Sequence, residues 1–375
     1  MNMPRRKFLV AGAVAAGLSA AAKAQAPALA SGAVKWRLTS SFKSDFPLIF
    51  GACRDLAADV AAITDGKFTI DVHEAGELAP ALGALDAAST GGAEIAHVAL
   101  HYFWDKRPEL ALAASTPFGM NPRQLAAWFE AGGGRELVDA ALADAKLRAL
   151  PAGNTGAQMG GWFRKPVLSI DDLKGAKIRV GGFAGKMFEK VGAVPTATAR
   201  GQALDALKSG ALDALDWVSP VDDERFDASP AGAGRAISSV APHYAYPAPW
   251  KNGLQLHFLV STEKYDALPK PFQAALTAAA ARAARAVEAR YDAANPFALK
   301  RLVVAGARVF LFPPDVAAAF ARAAQGIYDD LSSQDPKFAA IAKPYLAFRD
   351  AETLWWQVSQ YPYDNYMVRE RGLKS

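Results

Sequence analysis

From residue 34 onward the chain alternates between two hydrophobic periods. Val34-Lys35-Trp36-Arg37-Leu38-Thr39 alternates apolar and polar, which predicts a strand with one covered face. Pro47 to Ile63 has helical spacing, and Phe68-Thr69-Ile70-Asp71-Val72 alternates again as a second strand. Glu94 to Leu100 is almost continuously apolar, as in a strand buried on both faces. Gln124 to Ala145 reads as helix, broken near Gly132-Gly133-Gly134. Ala176 to Val180 and Leu212 to Val218 read as short strands, and Leu254 to Val260 and Ala307 to Phe312 as later ones. Before the last of these lies an Ala/Arg-rich helix from Pro271 to Ala294, with Pro271 acceptable in its first turn. Its length of ~36 Å could run along two domains. Strands alternating with helices predict an α/β protein with mostly parallel sheets. Ser219 to Ser239 is rich in Asp, Gly, Pro and Ser and predicts a surface loop with short helical pieces. The C-terminal region is helical and aromatic, with Trp355, Trp356, Tyr361, Tyr363 and Tyr366.

The first residues follow another pattern. Arg5-Arg6-Lys7 precedes an apolar, small-residue run from Phe8 to Ala22, and Ala22-Lys23-Ala24 offers an A-x-A cleavage site. The run is about 15 residues, short of the ~20 that span a bilayer. The reading is a leader over residues 1–24, and the arginine pair before Phe-Leu fits a twin-arginine export signal. The leader carries four cations and no acid, so the formal charge of +5 falls to near +1 in the mature chain. The basic balance therefore points to no nucleic acid. A content of 51% hydrophobic and 21% charged residues is that of a globular protein, and 375 residues accommodate two domains. Cys53 is the single cysteine and excludes an intramolecular disulfide. Export without disulfides suits a bacterial periplasm.

The chemistry concentrates in Gly153–Phe163, GNTGAQMGGWF. Two amides (Asn154, Gln158) and an indole (Trp162) stand there among glycines. Arg179 follows in KIRVGG, and Asp216-Trp217 in ALDW. Amides, a guanidinium fork, a carboxylate and aromatic walls suit a small anion, with or without a cation. None of these is an obvious nucleophile. Enzyme motifs fail one by one. Ser40-Ser41-Phe42-Lys43 is a formal S-x-x-K and Lys208-Ser209-Gly210 resembles a K-T-G element, but the S-D-N element is missing. His97 and His101 lack the glutamate of H-E-x-x-H. Gly181 to Lys186 has the wrong spacing for a P-loop, and no G-x-S-x-G occurs.

Over the whole mature region the chain resembles the extracytoplasmic solute-binding subunits of TRAP transporters, the DctP-type proteins. The resemblance is carried by GGAEIAHVALHYFW (Gly91–Trp104), TPFGM (Thr116–Met120), GNTGAQMGGWF, KIRVGG, ALKSGALDALDW (Ala206–Trp217) and HYAYPAPW (His243–Trp250). GNTG-x-QMGGWF is most similar to the branch that binds 2-oxo acids or lactate with a metal cation.

The resemblance implies an α/β, two-domain clamshell of the periplasmic binding protein type, with a long interdomain helix and a C-terminal helical extension. The expected division is 32–152 plus 254–298 for one domain, 153–253 plus 299–330 for the other, and 331–375 for the extension. It implies that Arg179 takes the substrate carboxylate. Gln158 would contact both ligand and cation, and Tyr102, Trp217, Phe183 and Trp250 would form walls, with Asn154 beside them. Gln158, Asp216 and the Trp217 carbonyl would hold Na⁺ or Ca²⁺, and no organic cofactor is expected. Asp216 stands where the branch carries glutamate, Gln202 where relatives carry Glu, and HYAYPAPWKNG differs from a tyrosine-rich version. The function implied is delivery of a small monocarboxylate, a 2-oxo or 2-hydroxy acid, to TRAP membrane subunits. Another organic or sugar acid, a sensor role, and an exported enzyme acting on a small acid are the alternatives. A homodimer exchanging C-terminal helices and packing within one chain both stay open.

Overall fold

The computed structural model describes residues 32–226 and 235–372. The expected leader, 1–24, lies outside the described residues. In chain order the strands are β1 Val34–Ser40, β2 Phe68–His73, β3 Ile95–Val98, β4 Leu147–Asn154, β5 Trp162–Phe163, β6 Lys177–Arg179, β7 Val194–Pro195, β8 Ala214–Leu215, β9 His243–Tyr246, β10 Gln255–Ser261 and β11 Arg308–Leu311. They form two sheets, ordered β2-β1-β3-β10-β4 and β11-β9-β5-β8-β6-β7.

Each sheet is parallel except for one inserted strand. β10 lies antiparallel between β3 and β4, and β5 lies antiparallel between β8 and β9. These are the strands that the chain enters directly from the other sheet. Residues 155–161 carry it from β4 to β5, and residues 247–254 carry it back from β9 to β10. A third crossing is the helix Lys270–Val304, which runs from β10 toward β11.

The expected helix Pro47–Ile63 forms over those residues, and the break at the glycine triplet separates the helices Pro122–Ala131 and Gly134–Leu142. Three expectations need correction. The long helix does not stop at Ala294: it continues through Pro296 for 35 residues, ~53 Å. Proline inside a helix costs about 3 kcal/mol. Here Ala298 and Leu302, both fully buried, pack the stretch beyond it. β4 has no counterpart in the sequence reading, and it contains Pro151. Pro151 faces His257, where the register shifts, and a bulge tolerates the missing N–H. The Ser219–Ser239 connection is not all surface. Its first piece, the helix Pro220–Asp223, is buried throughout, whereas 227–234 lie outside the described residues.

The C-terminal helices Pro314–Gln334 and Pro336–Val358 clasp the TPFGM segment. Tyr345 Oη meets Thr116 Oγ1 at 3.1 Å and accepts from Met120 N at 3.2 Å, while Tyr328 Oη donates to the Pro117 carbonyl at 3.1 Å. Beyond Tyr345 the packing fades. Helix Gln360–Gly372 has no buried residue, and Leu354, Trp355, Tyr361, Tyr363 and Tyr366 are exposed.

Candidate functional site

The two short crossings lie side by side. Thr155 N donates to the Leu254 carbonyl at 3.1 Å, Leu254 N to Thr155 Oγ1 at 3.0 Å, and Ala248 N to the Gln158 carbonyl at 3.2 Å. Gly161 presses the first crossing onto the end of β8. Its φ is +88°, and an added Cβ would fall on the Leu215 carbonyl. This close approach is why the motif needs glycine there. GNTGAQMGGWF is thus a crossing between sheets, and its Gly161 abuts the end of β8.

Arg179 ends β6, beside Asp216, which follows β8. Asp216 N donates to the Arg179 carbonyl at 3.0 Å. The guanidinium is fixed by two backbone carbonyls, with Nε donating to Thr198 at 2.8 Å and Nη1 to Asp216 at 3.1 Å. Its Cζ lies 4.9 Å from the centre of the Trp217 ring. Guanidinium has five N–H donors. Two are used, so three remain, and Nη2 has no acceptor among the described residues. Burial lowers the Arg179 pKa, with Asp216 and the Tyr102 hydroxyl acting in the opposite direction. The charge is therefore held in a partly dehydrated place, where one more anion is favoured.

The Asp216 carboxylate accepts from Trp250 Nε1 at 3.2 Å on Oδ1 and from Lys251 Nζ at 2.7 Å on Oδ2. Lys251 Nζ also donates to the Trp217 carbonyl at 2.6 Å. The Lys251 and Asp216 side chains are only 12% and 15% exposed.

Gln158 is buried, and Nε2 donates to Thr155 Oγ1 at 2.6 Å. Thr155 Oγ1 also lies 3.3 Å from the Gly156 carbonyl. With the amide in this orientation Oε1 is buried with no partner among the described residues. Tyr102 is coupled electrostatically to Arg179 and packs against Phe42 and His101.

The other expected site residues take different positions. Both ends of the Asn154 amide bond inside the protein, to Gln255 and to Gly156 N, so it orders the start of the crossing. Phe183 packs between Trp104 and Tyr328. Trp250 is 2% exposed in a cluster with Phe188, Phe312 and Phe320, and reaches the site through its N–H rather than its ring face. Trp162 stacks on Tyr244 at 4.0 Å and donates to Asp223, a packing role. Sequence reasoning missed Lys251 and Thr155. The signal for the lysine was the departure in HYAYPAPWKNG.

The donor set for Na⁺ or Ca²⁺ was Gln158, Asp216 and the Trp217 carbonyl. The Gln158 oxygen fits, being buried and unpartnered. The Lys251 ammonium bonds Asp216 Oδ2 and the Trp217 carbonyl, so a cation on these two groups would share both oxygens with it. Ser40 and His97, 3.0 Å apart, resemble a nucleophile–base pair. Both are fully buried, and Ser40 Oγ accepts from Phe42 N.

Comparison with known proteins places these observations. Residues 40–335 match the family model of bacterial extracellular solute-binding protein, family 7, DctP. A monocarboxylate 2-oxoacid-binding periplasmic protein of Nostoc sp. is 35% identical over 333 residues, 89% of each chain. A TRAP transporter solute-binding protein of Bordetella bronchiseptica has a TM-score of 0.85 at 33% identity, over 92% of this chain and 100% of its own. It is a mixed-occupancy dimer, with calcium and picolinate in one active site and an apo site in the other. A TRAP solute-binding protein of Colwellia psychrerythraea holds calcium and pyruvate, with a TM-score of 0.83 at 31% identity over 89% of this chain and 99% of its own. A Pseudoalteromonas atlantica protein holds sodium and pyruvate, with a TM-score of 0.82 at 31% identity over the same shares. The two-sheet α/β architecture is that of these two-domain relatives. The chain belongs to the DctP family of bacterial extracellular solute-binding proteins, the solute-binding subunits of TRAP transporters.

Proposed function

We propose that this protein captures a small monocarboxylate, a 2-oxo or 2-hydroxy acid, and hands it to the membrane subunits of a TRAP transporter. The observation that carries the reading is the Arg179 fork, fixed by two carbonyls with three N–H donors unused. The unpartnered Gln158 oxygen lies on the first crossing. Pyruvate in two solved relatives, and the name of the Nostoc protein, support the same ligand class. A second basic group would by itself favour a dicarboxylate. Asp216 balances Lys251, so Arg179, Lys251 and Asp216 together leave one positive charge, suited to one carboxylate. The protein binds without turnover in this reading.

The two sheets are the centres of two lobes, 32–152 plus 254–298 and 153–253 plus 299–330, with 331–375 as an extension. Closure about the crossings buries the ligand. The exposed aromatic surface of the extension is the place for a second copy of the chain; the Bordetella relative is a dimer. Export follows a twin-arginine leader at Arg5-Arg6.

Titration calorimetry and thermal shift against pyruvate, 2-oxobutyrate, lactate and dicarboxylates test the ligand class. One-to-one binding of a monocarboxylate without product is expected. No stabilisation by any organic acid would sink it, and turnover would refute the binding-only role. Light scattering of the full chain against one ending at residue 350 tests the dimer; equal mass per particle would reject it. Retained export after replacing Arg5 and Arg6 by lysine would reject the leader type.

A further inference from the structure

We propose that the Lys251 ammonium takes the place of a metal ion in this site, so that the protein binds its carboxylate without sodium or calcium. The inference rests on the carboxylate-binding reading above. Its first support is position. Nζ stands 2.7 Å from Asp216 Oδ2 and 2.6 Å from the Trp217 carbonyl, two of the three groups expected to hold a cation. An ion bound to the same two oxygens at ordinary calcium distances would stand within about 5 Å of Nζ by simple geometry. Two cations at that separation in a buried site repel strongly.

The second support is charge. One ammonium supplies the same charge as one sodium ion, and with Arg179 and Asp216 leaves a net charge matched to a monocarboxylate. The third is donor count. An ammonium has three N–H donors. Two go to Asp216 and Trp217, which leaves one for a ligand oxygen. The fourth is anchoring. Lys251 N donates to the Ala248 carbonyl at 3.0 Å, and its neighbour Trp250 is 2% exposed. The backbone at this position is thereby tied, and withdrawal of the side chain would leave Asp216 with the Trp250 N–H in place of an ammonium.

The experiment uses the full mature chain, prepared once in sodium-free, chelator-treated buffer and once with millimolar sodium and calcium. Metal content is read by mass spectrometry, and the Kd for pyruvate, 2-oxobutyrate and lactate by calorimetry. The expected result is no stoichiometric metal and a Kd that agrees within twofold between the buffers. Stoichiometric calcium in the wild-type protein, or a tenfold loss of affinity on metal removal, would overturn the proposal. Lys251→Met keeps the side-chain stem and removes the charge. It should weaken acid binding at least ~10-fold in metal-free buffer, since it removes the ammonium that balances the Asp216 carboxylate. A folded variant with wild-type affinity would also overturn it. Should Lys251→Met not fold, the wild-type metal measurements decide alone. If none of these acids binds, the ligand class fails, while metal content still decides the role of Lys251.

Discussion

The guanidinium of Arg179 lies over the indole of Trp217, 4.9 Å from the ring centre, and donates to the carbonyl of the residue before it. The ring faces one side of the cation, and backbone carbonyls take two of its N–H groups. What remains is a flat edge of donors with a fixed direction. A lysine here would keep the charge and lose both the fork and the stacking. Arg179→Lys should weaken carboxylate binding by at least ~10-fold, or 1.4 kcal/mol, in calorimetry. An affinity within twofold of wild type would remove Arg179 from the anchoring role.

Trp250 holds Asp216 from the side opposite Lys251. Trp250→Phe removes the 3.2 Å hydrogen bond to Oδ1 and keeps most of the aromatic packing. One neutral donor to a charged acceptor is worth about 1.5–3 kcal/mol. Part of that should appear as a rise in Kd of roughly 2- to 10-fold. Calorimetry of the folded variant measures it, and an unchanged Kd would make Trp250 a packing residue only.

Much of this site is legible in the sequence, for a reason that also marks its limit. Gln158, Arg179, Asp216 and Trp217 sit in local motifs, so residue type and neighbours together suggest them. Lys251 meets Asp216 across 35 residues because of the strand order in the second sheet. No local pattern reports that meeting. The aromatic residues were the harder case. Phe183 and Trp250 have the composition of pocket walls but pack into clusters, and composition does not say which way a ring faces. The fold shows the same division. Helical period places Pro47–Ile63, and the glycine triplet places the break that follows Ala131. The pattern does not reveal β4 or the end of the long helix, where tertiary packing accommodates Pro151 and Pro296.

Gly161→Ala should be costly for its size. The residue has φ +88°, and its Cβ would meet the Leu215 carbonyl. Strained backbone and steric conflict together predict a loss of about 1–3 kcal/mol in urea denaturation. Gly153→Ala, whose Cβ would come 2.7 Å from Val287 on the long helix, should behave alike. A loss below ~0.5 kcal/mol at both sites, ordinary for surface changes, would show that the crossing tolerates displacement.

The pH dependence should be steep on the acid side. His257 is fully buried, neither ring nitrogen has a partner among the described residues, and burial lowers its pKa to about 3. The unfolded chain binds the proton near pH 6.5. Between those values the unfolded state holds more protons, so stability is present above 6.5 and is lost as pH falls toward 3. His257→Leu should reduce the loss in stability between pH 7.5 and 5 by on the order of 2 kcal/mol. The other titrating groups are common to both proteins and cancel in the comparison. Parallel curves for the two in chemical denaturation would refute this assignment.

The position of β10 has a consequence for the order in which the molecule can assemble. β4 pairs only with β10 among the described strands, and the ends of that pairing, Asn154 and Gln255, are 101 residues apart. During synthesis β4 must therefore wait while most of the second sheet emerges. The second sheet in turn waits for β11, which follows the long helix. Neither sheet is complete at any point before the other is nearly so. Loop closure over such separations is slow and must precede the contacts that reward it. The first sheet is finished only at Ser261, when the second lacks β11 alone, so the chain acquires both halves of its binding site late in synthesis.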